Sequence, residues 1–141
     1  MTAGFDELLE EGFAPHLLPA HLGVEPISCG DGKARMRLPF RPQHLQNLGV
    51  VQGGIIATLA DMTMAWAVLS LVHPRPAPTV DLTVSYLRPV TEQDIECEAV
   101  VLRAGRSVAY ARADVVNGDG VLVASASASF LVRNPGEAGG R

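Results

Sequence analysis

The chain has 141 residues, of which 48% are hydrophobic and 18% are charged, and its formal net charge is −4 at pH 7. This length suits one domain with a sizeable core, and we expect that domain to span residues 1–133, followed by a flexible tail over 134–141. The acidic balance gives no electrostatic reason to expect a nucleic acid partner. The two cysteines, Cys29 and Cys97, fit neither a disulfide framework nor a metal-ligand spacing, which favours free thiols in a cytoplasmic protein.

The sequence predicts, in chain order, one helix, two strands, one long helix and four further strands. An amphipathic helix is expected over residues 5–12, and a hairpin of two strands follows at 24–29 and 33–38. A long apolar helix begins near Gly53 and ends near Val72, before a proline-rich segment. From there the period changes to two, which predicts strands at 79–86, 94–103, 107–116 and 121–132.

Short turns join the last three strands, so we expect them to form an antiparallel meander. The long helix contains a single charged side chain, Asp61, and needs cover on most sides, which indicates a sheet wrapped around it and an α+β fold class. Its length also fits a membrane span. Gln46, Asn47, Gln52 and Asp61 interrupt that apolar run, however, so the sequence predicts no membrane-spanning segment.

Asp61 is the only ionisable side chain between residues 45 and 72. An ionised carboxylate in an apolar segment is costly to bury because it loses its hydration shell. It lies eight residues after a glycine pair, Gly53-Gly54, which weakens a helix. Asp61 is either a hydrogen-bonded structural acid or a functional group, and the glycines either allow close packing or serve a site. The two anomalies on one segment favour chemistry.

The segment around these residues reads GVVQGGIIATLADMTMAWA. It resembles the signature of hotdog-fold acyl-CoA thioesterases, particularly the phenylacetate-degradation (PaaI-like) family, as do residues 79–89 and 101–107. The matching positions are Gly49, Gln52, Gly53, Gly54, Leu59 and Asp61. The resemblance implies an antiparallel sheet wrapped around one long helix. It also implies hydrolysis of an aryl- or aliphatic acyl-CoA to the free acid and coenzyme A, without a metal or redox cofactor.

Carried onto this sequence, the resemblance implies a role for five residues. Asp61 acts as the nucleophile or as a general base on water. The backbone N–H of Gly53 polarises the thioester carbonyl, which agrees with the positive end of a helix dipole at that point. Gln46 orients water or the thioester, and Thr79 helps to hold the attacking water. Gln52 stands where the family usually has a histidine, and an amide cannot shuttle protons near neutral pH.

Substrate contacts are expected on both sides of this motif. Asn47 and Gly54 adjoin the catalytic positions. Guanidinium groups bind phosphates through paired hydrogen bonds, so arginines at strand ends or turns are candidates for the coenzyme A end. These arginines are Arg88, Arg103, Arg106 and Arg133, although a solvated surface role is the common alternative for each.

The spacing of Asp61 and Gly53 predicts an oligomer. Eight helical residues rise about 12 Å, which is too far for both groups to contact one thioester within one subunit. In the family that the chain resembles, the two groups come from different subunits, so we expect a homodimer or homotetramer with sites across the dimer interface.

Two other functions remain as alternatives to hydrolysis. One is a non-hydrolytic acyl-CoA-binding or regulatory module on the same fold, which the glutamine at position 52 favours slightly. The other is hydratase chemistry, which is disfavoured because the motif contains no histidine.

Overall fold

One antiparallel sheet of six strands surrounds a long central helix. The computed structural model describes residues 3–134, so the predicted tail lies almost entirely outside the described residues. The helices are α1 (Ala3–Gly12), α2 (Leu18–Leu22) and α3 (Gly53–Val72), with a 3₁₀ turn at Pro42–His44. The strands are β1 (Glu25–Gly30), β2 (Lys33–Leu38), β3 (Thr79–Tyr86), β4 (Ile95–Ala104), β5 (Val108–Asn117) and β6 (Leu122–Leu131).

These bounds agree closely with the periodicity. The long helix, β2 and β3 begin and end where they were predicted, and the other strand ends differ by one residue. The first helix begins two residues earlier than predicted. The prediction missed α2 and the 3₁₀ turn, because elements of five and three residues are too short to show a period.

The order of the strands is β1-β2-β4-β5-β6-β3, and every neighbouring pair is antiparallel. The meander of β4, β5 and β6 is therefore confirmed. Alternate residues of β5 and β6 that face α3 are alanines, and alanine has a small side chain that lets a helix lie close to a sheet. The buried alanines are Ala109, Ala111, Ala113, Ala124, Ala126 and Ala128.

Strand β3 is more exposed than a half-buried strand. Leu82 and Val84 are partly buried as expected, but the side chain of Val80 is 66% exposed and that of Tyr86 is 52% exposed. The reason is position, since β3 lies at the edge of the sheet and pairs only with β6. The register also shifts between Thr79 and Asp81, so the pattern of alternation is broken at Val80.

The start of β6 departs from the alternation of the rest of the strand. Leu122 is exposed, whereas Val123 is fully buried. The register between β5 and β6 shifts at Val115 and Val116, and this shift reverses the alternation at the start of β6.

The central helix is covered on one side by the sheet and left partly open on the other. Leu59, Ala60, Met64 and Ala67 are fully buried against the strands. By length and mean hydropathy (1.8), α3 is a candidate membrane span, but its contacts with all six strands are those of a core helix. We use the name open face of α3 for one stripe along the helix whose residues are exposed or only partly buried. This open face consists of Gly54, Ala57, Thr58, Asp61, Met62, Ala65, Leu69 and Val72.

Candidate active site

Asp61 lies on the open face of α3, and its carboxylate accepts a hydrogen bond from Thr79. The Oγ1 of Thr79 donates to Oδ1 of Asp61 over 2.7 Å. Thr79 is the first residue of β3, so the start of the edge strand holds the one acidic side chain of the helix in place. The second carboxylate oxygen stays available to take a proton from water or to attack a carbonyl. The sequence-predicted pair is thus brought together.

Gly53 is the first residue of α3, at the opposite end of the helix from Val72. Its amide lies in the first turn, where N–H groups have no carbonyl partner inside the helix and carry the positive end of the dipole. The carbonyl oxygen of Gly53 accepts a hydrogen bond of 2.6 Å from the hydroxyl of Tyr86. This arrangement can stabilise a developing oxyanion at the amide.

Tyr86 is a site residue that sequence reasoning missed. It is the last residue of β3, and the sequence predicted it only as part of that strand. A Cβ on Gly53 would lie 3.2 Å from Cζ of Tyr86, so glycine is what allows the ring to approach the start of the helix. The feature of the sequence that could have indicated this role is a tyrosine at the end of a predicted strand, because its hydroxyl needs a hydrogen-bond partner.

A hollow of about 290 Å³ opens beside Gly53 and Tyr86. Gln46 and Arg88 line it, as predicted for groups that bind substrate. The Oε1 of Gln46 accepts a hydrogen bond from the backbone N–H of Leu48, so Gln46 also stabilises its own turn. Its amide nitrogen is then the group that can donate to a ligand in the hollow.

Three other predicted residues do not line this hollow. Asn47, Gln52 and Gly54 are exposed around the start of α3. Gln52 occupies the N-cap position, but its side chain makes no capping hydrogen bond. It therefore remains free to orient towards a ligand that approaches the first turn of the helix.

The predicted arginines divide between the two ends of the molecule. Arg88 lies beside Gly53, whereas Arg103 and Arg106 are exposed at the β4–β5 turn. That turn lies near the start of β3, because the chain after β6 bonds both to Ser107 and to the segment before Thr79. Arg75 bridges this region, since Nη2 donates to the carbonyl of Arg106 over 2.8 Å.

Two half-sites thus lie at opposite ends of strand β3 in one subunit. Asp61 and Thr79 form the first half-site, and Gly53 and Tyr86 form the second. The two ends of β3 are about 23 Å apart at the usual rise per strand residue, and the two helix positions are about 12 Å apart. One chain therefore does not bring the carboxylate and the oxyanion donor to the same thioester.

The cysteines are not part of this arrangement. Burial raises the pKa of Cys29 to about 11 and that of Cys97 to about 12. Both are free thiols, and Sγ of Cys29 donates to the carbonyl of Trp66. Protonated thiols of this kind are structural groups rather than nucleophiles. Within residues 3–134, no cluster of three His, Cys, Asp or Glu side chains is placed to hold a metal ion.

Comparison with known proteins decides the family. The model of the thioesterase superfamily matches residues 48–124, which include Gly53, Asp61, Thr79 and Tyr86. The chain belongs to the thioesterase superfamily. Its six-stranded antiparallel sheet around α3 is the hotdog fold that the resemblance implied.

Relatives within the superfamily support the hydrolase assignment. The medium/long-chain acyl-CoA thioesterase YigI of Salmonella typhimurium is 43% identical over 89% of this chain and 92% of its own. Mouse acyl-coenzyme A thioesterase 13 is 28% identical over 81% of this chain and 74% of its own. A mutant of the phenylacetic acid degradation protein PaaI from Thermus thermophilus has a similar structure. Its TM-score is 0.76 at 28% identity, over 82% of this chain and 97% of that one.

At the level of the superfamily, the protein is an acyl-CoA thioesterase, a thioester hydrolase. The prediction of hydrolysis is confirmed at that level, and the non-hydrolytic module is the weaker alternative. The roles of the individual site residues remain predictions.

Proposed function

We propose that the protein hydrolyses acyl-CoA thioesters at sites that two subunits share. Asp61 of one subunit either takes the proton of an attacking water or attacks the carbonyl itself. The N–H of Gly53 from the other subunit donates to the oxyanion. The supporting observation is that the Asp61–Thr79 pair and the Gly53–Tyr86 pair lie at opposite ends of the same strand.

When Asp61 acts as a general base on water, hydrolysis proceeds in two steps. The water oxygen bonds to the carbonyl carbon while its proton passes to Asp61, and the carbonyl oxygen becomes an oxyanion at Gly53. Collapse of this intermediate breaks the carbon–sulfur bond. The leaving thiolate then receives the proton from Asp61, so the products are the free acid and coenzyme A.

The test of this role is Asp61→Asn in the purified protein. Thiol release from acyl-CoA should fall by about 10³-fold or more, as expected when a general base or nucleophile is removed. Near-normal hydrolysis by Asp61→Asn would remove this residue from the mechanism. A single turnover in heavy-oxygen water identifies a nucleophilic Asp61 if the label enters its carboxylate, because this requires a mixed anhydride that water cleaves at the aspartyl carbon.

A two-fold dimer is the assembly that would join the half-sites. Within residues 3–134 no strand pairs with the outer edge of β3, and Val80 on this strand is 66% exposed, so two such strands can pair and extend the sheet. The first part of the open face of α3, from Gly54 to Asp61, has small side chains apart from Asp61 and can pack on its copy. Antiparallel pairing would place each Asp61 near the partner's Gly53. The geometry fits a dimer, and a tetramer of two dimers remains compatible with it.

Complementation between two inactive variants tests the shared site. Gly53→Pro removes the oxyanion N–H and suits the first position of a helix. A heterodimer of Asp61→Asn and Gly53→Pro chains, purified through two different tags, should recover about half of the wild-type activity, because one of its two sites is intact. If the heterodimer is as inactive as both parents, each site belongs to one subunit.

Acyl preference is proposed from the relatives. The name of the Salmonella relative specifies medium and long chains, and its identity of 43% supports an aliphatic substrate for this protein. The neighbouring PaaI structure makes phenylacetyl-CoA the second candidate. A panel of acyl-CoA esters, assayed by release of free thiol, separates the two. We also propose a cytoplasmic location, for which the unpaired Cys29 and Cys97 are the support and cell fractionation is the test.

A further inference from the structure

A second cavity lies at the far end of α3 from Gly53. It is an open cavity of about 420 Å³ between α1, the end of α3 and the segment that leads into β3. That volume falls within the range of about 300–1,000 Å³ that is usual for small-molecule sites. We call it the apolar hollow, and the lining residues that matter here are Leu8, Leu69, Pro76, Ala77, Pro78 and Arg133.

The apolar hollow adjoins the catalytic pair. Pro78 directly precedes Thr79, which donates to Asp61. Leu69 lies eight residues after Asp61 on the same helix, which is about 12 Å along its axis. Ala65 lies between them on the open face of α3, and its small side chain leaves room beside the helix. A chain that starts at Asp61 can therefore run along this face into the apolar hollow.

Three ionisable side chains, those of Arg75, Arg133 and His73, line the apolar hollow, and that of Arg75 is already engaged. The guanidinium of Arg75 donates to the carbonyl of Arg106 over 2.8 Å and to that of Arg133 over 3.2 Å. Arg75 therefore ties the loop before β3 to the β4–β5 turn instead of facing the cavity as a free cation. The walls that remain are mainly leucine, proline and alanine side chains, which favour a hydrocarbon over a phosphate or a sugar.

We propose that the apolar hollow holds the distal part of the acyl chain and sets the chain length that the enzyme accepts. This inference rests on the proposed function, because it takes Asp61 as the point where the thioester is cleaved. Leu8 and Arg133 lie outside residues 48–124, which match the superfamily. Leu8 belongs to α1, so the N-terminal helix forms one wall of this subsite.

Two substitutions change the volume of the apolar hollow in opposite directions. Ala77→Phe fills it, and Leu8→Ala widens it, while Leu102→Ala is the matched control because Leu102 is exposed on another surface. The measurement is kcat/KM for butanoyl-, octanoyl- and dodecanoyl-CoA. A single methylene changes specificity by about tenfold or more. Ala77→Phe should therefore lose at least that factor for the two longer chains, with the butanoyl value and the control within about twofold.

Leu8→Ala should move the preference towards dodecanoyl-CoA, and it decides the question if Ala77→Phe does not fold. An equal loss at every chain length, joined with weaker inhibition by free coenzyme A, would show that the cavity holds the coenzyme instead. An unchanged chain-length profile in both variants would also overturn the proposal.

A protein that does not hydrolyse acyl-CoA thioesters would give a different result. If the wild-type protein hydrolyses none of the three esters, binding of a non-hydrolysable dodecyl-CoA thioether is measured by calorimetry. Binding that is tighter than that of the butyl thioether, and that Ala77→Phe weakens, supports the acyl subsite without any catalysis. Equal affinities for the two thioethers would overturn it.

Discussion

Replacing Thr79 by valine removes the hydroxyl that donates to Asp61 and leaves a side chain of nearly the same shape. The bond is 2.7 Å long, and hydrogen bonds to charged groups contribute about 1.5–3 kcal/mol. Thr79 is exposed and Asp61 is half-buried, so solvent screening favours the lower end of that range, about 1.5 kcal/mol. We therefore expect kcat to fall by about tenfold, since about 1.4 kcal/mol corresponds to one factor of ten.

The Michaelis constant should change by less than about twofold, because the hydroxyl positions the carboxylate and binds no part of the coenzyme. The assay is thiol release from a saturating acyl-CoA, with a thermal unfolding curve for each variant. Thr79→Ser is the control, since it keeps the donor and should retain most of the activity.

Two results would refute this reasoning. Full activity in Thr79→Val would make Thr79 an ordinary edge-strand residue. An equal loss in Thr79→Ser and Thr79→Val would show that the lost activity does not come from the hydroxyl, and that the shape of the side chain matters instead.

Four further predictions concern Gly53, Tyr86, Asp94 and Cys97. Gly53→Ala should lower kcat/KM by about tenfold or more, because the new Cβ meets the ring of Tyr86 at 3.2 Å, while the helix itself should be no less stable. Tyr86→Phe should lower kcat by about five-fold through loss of its bond to the Gly53 carbonyl, and unchanged kinetics would remove Tyr86 from the site. The backbone N–H of Phe40 and then the guanidinium of Arg37 hold the pKa of Asp94 below its usual range. The ionised carboxylate of Asp94 therefore stabilises the fold above about pH 4, and this stabilisation is lost as the pH falls through the pKa of the folded state. Urea unfolding at pH 7 and pH 3 should therefore show a smaller difference in Asp94→Asn than in the wild type. The thiol of Cys97, with its pKa raised to about 12, should react with a disulfide reagent at pH 8 only after unfolding.

Local patterns in the sequence were enough to predict the elements. The apolar run from Gly53 to Val72 and the alternation in the later strands each report the burial of neighbouring residues, and burial follows the period of the element. The spacing of Gly53 and Asp61 lies within one helix, so the distance between them followed from helical rise alone. This is why the motif and the separation of its two halves were predictable.

Contacts between distant segments were not predictable in the same way. Tyr86 reaches the carbonyl of Gly53 across 33 positions of the chain, and only the placement of β3 at the sheet edge brings them together. The same placement exposes Val80, whose alternation alone predicted burial.

The sequence by itself determined the helix, the strands and the spacing of Asp61 from Gly53, because each of these depends on residues close together in the chain. Only the tertiary structure decided which side chains meet. Leu8 and Ala77 come from distant parts of the chain to line the same apolar hollow, and nothing in either local segment specifies that they meet there. Their meeting depends on how α1, α3 and the edge strand pack, and packing is set by the whole set of buried side chains at once.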